Sequence, residues 1–143
     1  MKKIYQTLGF LLVMSVILPL QAASGFAEKK IVLQISDPDP FKQTLVLNVA
    51  NNLIKHYGQD KVEIEIVAFG PGLRLLFEEN SNSTRIDSLI ESDVTFSACQ
   101  NTMEGMGKKL GHPPVLHSGA KPTPAGVVRI IDLIGKGYVL VKP

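Results

Sequence analysis

The sequence predicts an α/β fold: a mostly parallel sheet of about five strands with helices on both faces. Three observations lead there. Short β-branched or apolar runs alternate with helix-length segments from Lys30 to the end of the chain. The run Val62-Glu-Ile-Glu-Ile-Val-Ala-Phe69 begins with strict alternation and ends continuously apolar, as a strand does when it becomes buried on both faces. Finally, Gly and Pro punctuate the ends of the strand-like runs.

The first residues precede this pattern. Lys2 and Lys3 stand before an apolar run from Ile4 to Leu20, followed by the small-residue stretch Gln21 to Ala27. That is the three-part pattern of a secretory signal peptide, residues 1–27. Cleavage after Ala27 fits the small-x-small rule through Gly25 and Ala27; Ala22 and Ala23 are alternative sites, and a short transmembrane anchor is the competing reading. The expected product is periplasmic, with no membrane segment after cleavage, and its single domain spans residues 28–143.

Lys30-Ile-Val-Leu-Gln-Ile-Ser36 reads as the first strand, ended by Asp37-Pro-Asp-Pro40. Asp39 is placed to cap a helix, with Pro40 at its first position. That helix is expected from Phe41 to Tyr57, with Phe41, Leu45, Val49, Leu53 and Tyr57 on its apolar face beside Val46, Ala50 and Ile54. Gly70-Pro-Gly72 stops the second strand. A short helix over Leu73 to Glu79 follows, and then another, capped by Thr84 and running through Glu91. Val94 to Ala98 is the third strand, running into a helix that reaches Leu110. A short fourth strand is expected near Val115 to His117 or just after. Ala125 to Gly135 reads as a helix packed against the sheet, and Tyr138 to Val141 as the last strand.

Charge narrows the function. Loss of Lys2 and Lys3 brings the 15 basic residues to parity with the 13 acidic ones. With no basic run and no Trp, the domain lacks the electrostatic footprint of a nucleic-acid binder. The single cysteine, Cys99, permits no intramolecular disulfide and no thioredoxin-type cycle within one chain.

Cys99 falls where strand gives way to helix, beside the positive end of a helix dipole, which favours thiolate. A free thiol of pKa about 8.5 is about 3% thiolate at pH 7, and a fall of one unit makes it about a quarter. A buried, inert thiol is the competing reading. In a parallel sheet ligands bind outside the carboxyl ends of the strands. Three loops fall on that edge: Asp37 to Pro40, Gly70 to Gly72 and Cys99 to Asn101. Asp37, Gly70, Gly72, Gln100 and Asn101 are therefore candidate binding residues around Cys99.

The succession K-I-V-L-Q-I-S, N-V-A-N-N-L-I-K-H-Y-G, V-E-I-E-I-V-A-F-G-P-G-L-R-L-L, F-S-A-C-Q-N-T-M and P-A-G-V-V-R-I-I-D-L-I-G-K-G-Y resembles the DsrE-like family, in particular its small exported members. The resemblance spans residues 30–142 and lies in the order and spacing of these segments. It implies a three-layer flavodoxin-like sandwich, a homo-oligomer (trimer or hexamer), and sulfur relay through a persulfide on Cys99, with a donor or acceptor protein as partner and no cofactor. The alternative is a non-enzymatic oligomeric module whose strand-end pocket binds a small ligand or partner segment, with Cys99 as lining.

Other motifs carry less. Gly70-Pro-Gly72 with Arg74 lacks the G-x-G-x-x-G pattern and acidic partner of a dinucleotide site, and reads as a tight turn. His112 and His117 have no Cys, Asp or Glu at ligand spacing, so no metal site is expected.

Overall fold

The computed structural model describes residues 27–143. The segment read as a signal peptide lies almost wholly outside the described residues. The chain runs β1 (Lys29–Ile35), α1 (Pro40–Tyr57), β2 (Val62–Ala68), a 3-10 helix (Gly70–Leu76), α2 (Ser83–Glu91), β3 (Thr95–Cys99), α3 (Gln100–Leu110), β4 (Ala120–Thr123), α4 (Gly126–Gly135) and β5 (Val139–Val141). A short 3-10 turn, Gln59–Lys61, leads into β2. No helix of the described residues is long and apolar enough to cross a membrane.

All strand pairs are parallel, in the order β4-β3-β2-β1-β5. The chain steps outward from β1 to β4, then returns past the whole sheet to place β5 beside β1. With right-handed crossovers, that reversal puts α4 on the opposite face from the helices before it. The packing shows both layers. On one side Ile31, Leu33, Ile64, Ile66 and Phe96 meet Val46, Leu47 and Ala50 of α1 and Ile86 and Leu89 of α2, with Met103 and Met106 of α3 against the same core. On the other, Val32 and Val67 meet Ile130 and Leu133 of α4, with Tyr138 and Phe69 alongside. The result is the three-layer α/β sandwich that the alternation predicts.

Several elements differ in detail from the sequence reading. In α1 the buried residues are Gln43, Val46, Leu47 and Ala50, while Phe41 is 85% exposed and Leu45 is also exposed. A ladder of every fourth residue drifts around a helix of 3.6 residues per turn, so Phe41 and Tyr57 do not share one buried stripe. The segment after Gly70 is a 3-10 helix ending at Leu76. The next helix starts at Ser83, with Asn82 rather than Thr84 at the cap position. The fourth strand, Ala120–Thr123, falls just after His117, the later of the two expected places, and Leu116 makes only an isolated antiparallel bridge to Phe77. Pro122 is accommodated because β4 is an edge strand, where a missing N–H need not break a ladder.

Candidate functional site

The site lies at the carboxyl ends of adjacent strands β3 and β4, whose following helices leave to opposite faces of the sheet. Such a divergence opens a crevice in open α/β sheets. Cys99 ends β3 and occupies the N-cap position of α3, with extended backbone (φ −69°, ψ 114°). Its neighbour across the ladder is Thr123, three residues before α4 begins. Two helix N-termini thus converge on one sulfur. The Asn101 N–H donates to Pro124 O at 3.3 Å, tying the start of α3 to the segment that leads into α4.

Cys99 is 5% exposed. Burial pushes its thiol up, but hydrogen bonds from the Thr102 hydroxyl and from the backbone N–H groups of Gly126, Thr102 and Asn101 together outweigh that and hold it below the ordinary thiol value. The Thr102 hydroxyl is itself fixed, because its oxygen accepts the Gly70 N–H at 2.9 Å and its proton is left for the sulfur. Gly70 makes this bond from a left-handed conformation (φ +53°) that glycine adopts without strain. At Gly126 a Cβ would stand 2.9 Å from Phe69 Cβ, so the absence of a side chain lets the first turn of α4 close on the end of β2.

The candidate residues read from the sequence separate into two groups. Gly70 and Asn101 join Cys99 through the contacts just described. Gln100 is exposed and lines an open groove of about 600 Å³ along α3, with Met103, Glu104, Lys108, His112 and Pro113. Gly72 has a packing role: a Cβ there would lie 2.5 Å from Ile35 O. Asp37 accepts the Asp39 N–H at 3.0 Å and pairs with Lys42 at 2.6 Å. The Lys42 ammonium, with that N–H, holds the Asp37 carboxyl below its ordinary value. Asp37 makes no hydrogen bond to the Cys99 group among the described residues.

Thr102 and Gly126 were missed by the sequence reading. A Thr three residues after a helix-capping cysteine is a signal available in the sequence, since i and i+3 meet on one helix face. Gly126 has none, because its contact with Cys99 depends on the β3–β4 register. His117 is also accounted for: its Nδ1 accepts the Gly119 N–H at 3.1 Å and its Nε2 lies 3.1 Å from Asp87 Oδ1.

Solved structures share this architecture. MTH1491 from Methanobacterium thermoautotrophicum, a protein of unknown function, matches with a TM-score of 0.73 and 25% identity over 80% of this chain and 99% of its own. The ychN protein from E. coli matches at 0.64 with 13% identity, over 80% of this chain and 99% of that one. BT1422 from Bacteroides thetaiotaomicron, a conserved protein of unknown function, matches at 0.55 with 18% identity, over 85% and 99%. The chain has their fold. No protein-family model matches it, and no curated protein does.

Proposed function

We propose that the protein is an exported sulfur-handling protein in which Cys99 transiently carries sulfane sulfur as a persulfide. The observation that carries this reading is the convergence of the α3 and α4 N-termini on a single thiol, held below its ordinary value by the Thr102 hydroxyl and three backbone N–H groups. Thiolate is the nucleophile in sulfur exchange. The Cys99 thiolate attacks the outer sulfur of a persulfide or polysulfide donor; a new S–S bond forms as the donor's S–S bond breaks. The donor leaves with the bonding pair, as a thiolate or a polysulfide one sulfur shorter, and any proton on the outer sulfur moves with that sulfur to Cys99. An acceptor thiolate reverses the step and regenerates Cys99. The exchange consumes no oxidant and uses only one cysteine, as this chain supplies. Resemblance to the DsrE-like family points to the same chemistry. Intact-mass measurement after exposure to polysulfide, with Cys99→Ser as the blank, tests it.

The same reading includes self-association. Val127, Val128, Ile131 and Ile134 of α4 are exposed, Ile131 to 61%, as is Leu140 of the edge strand β5, which pairs with Val32 on the sheet face that α4 covers. A neighbouring set of large apolar side chains is the kind of surface a subunit contact covers. The family resemblance supplies a second copy as its occupant.

A second reading has its own support in the burial of Cys99 and the groove beside Gln100. In that reading the protein is a non-enzymatic ligand-binding module and Cys99 is packing. It predicts that Cys99→Ala retains binding and oligomeric state.

A further inference from the structure

Glu65 stands in the middle of β2, the central strand of the sheet, and is 3% exposed. A carboxylate there is withdrawn from water on the face covered by α4, an arrangement that needs strong partners. It has three bonds. Arg129 of α4 donates from Nε to Oε1 and from Nη2 to Oε2, each at 2.7 Å, and the Ser97 hydroxyl of β3 donates to Oε1 at 2.5 Å. The paired geometry is the planar fork that guanidinium and carboxylate form best. Glu65 in turn holds the Arg129 guanidinium above its ordinary value.

This network lies directly beneath the reactive end of the sheet. Ser97 is two residues before Cys99 on β3, and its side chain emerges on the same face. Arg129 is three residues after Gly126 on α4, and its backbone N–H donates to Ala125 O at 2.9 Å in the helix's first turn. The helix has no side-chain cap of its own. Its N-terminus is fixed instead by the Arg129 fork below and by the contact of Gly126 with Phe69.

We propose that Glu65 and Arg129 are positioning residues for Cys99: their paired hydrogen bonds anchor the first turn of α4 to β2, so that the Gly126 N–H is held against the sulfur. Ser97 completes the anchor by fixing the carboxylate from the cysteine's own strand. The inference deepens the reading of Cys99 as a working nucleophile and rests on it for its biological purpose. Its physical content is separate, because the position of the Gly126 N–H is read out by the thiol itself.

The test is the rate of Cys99 alkylation by iodoacetamide as a function of pH in the full chain, for wild type, Arg129→Met, Arg129→Lys and the charge-neutral double variant Glu65→Gln/Arg129→Gln. Circular dichroism confirms folding. Lys42→Met, which removes the exposed pair with Asp37, is the control. In folded Arg129→Met and in the double variant the profile moves to higher pH, lowering the thiolate fraction at pH 7 by about threefold or more. Arg129→Lys, which keeps the charge but loses the fork, falls between these and wild type. The double variant leaves no unpaired buried charge and carries the measurement if Arg129→Met does not fold. A wild-type profile in a folded member that lacks the fork overturns the proposal. Alkylation needs no sulfur donor, so failure of the polysulfide reaction would sink the sulfur-carrying reading without touching this result.

Discussion

Gly70 donates its backbone N–H to the hydroxyl oxygen of Thr102 at 2.9 Å, joining the loop after β2 to the first turn of α3. That bond orients the Thr102 proton toward Cys99 and connects two of the loops that the sequence places on one sheet edge. Thr102→Val, nearly equal in volume, removes the hydroxyl and leaves the Gly70 N–H without its partner. The expected result is a Cys99 alkylation profile displaced upward by about one pH unit, since a hydrogen bond to a charged group contributes roughly 1.5–3 kcal/mol. Thr102→Ser restores the hydroxyl and brings the profile back.

The lowered thiol value also gives stability a pH dependence. The folded state favours the Cys99 thiolate, so its contribution is fully present above the unfolded value, about 8.5 for a free thiol, and is lost as pH falls through the lower folded value. Between those two values stability rises with pH. Denaturant midpoints across that window should show the rise in wild type and a flatter dependence in Cys99→Ser. Equal slopes in the two proteins would contradict the hydrogen bonds assigned to the sulfur.

Gly72 is required for packing rather than for ligand contact. Gly72→Ala drives a methyl group into the backbone of Ile35 and Ser36, and the 3-10 helix has to move off the end of β1. The expected loss is about 1–3 kcal/mol in urea unfolding, in the range of overpacked cores. An unchanged midpoint would show that this turn is more loosely seated than its geometry indicates.

The exposed apolar face of α4 predicts a subunit contact. Ile131→Asp places a charge at its centre and should lower the mass measured by light scattering to that of a single chain, with the far-ultraviolet spectrum unchanged. Wild type eluting as a monomer would remove the basis for self-association.

The alternation of strands and helices was legible in the sequence because it rests on local pattern, and Cys99 at the β3–α3 junction was legible for the same reason. What escaped depends on contacts between distant segments. Val62-Glu-Ile-Glu65 reads as a strand with two solvent-facing carboxylates; Glu63 is exposed, but Glu65 is buried by Arg129, 64 residues further on. Likewise α4 reads as apolar on most sides, yet only Gly126, Ile130 and Leu133 are buried in it, because among the described residues it is the one helix on that face. Among the described residues, its Val127, Val128, Ile131 and Ile134 remain exposed. Gly126 became visible only when the β3–β4 register set the two helix N-termini side by side, whereas Thr102 is placed by its spacing from Cys99 alone.

Intact-mass measurement of the protein after exposure to polysulfide, alongside Cys99→Ser, tests the central claim most directly. Wild type is expected to gain increments of about 32 Da, one sulfur each, which a thiol reductant removes, while the serine variant gains none. Wild type that gains no more than Cys99→Ser would contradict it.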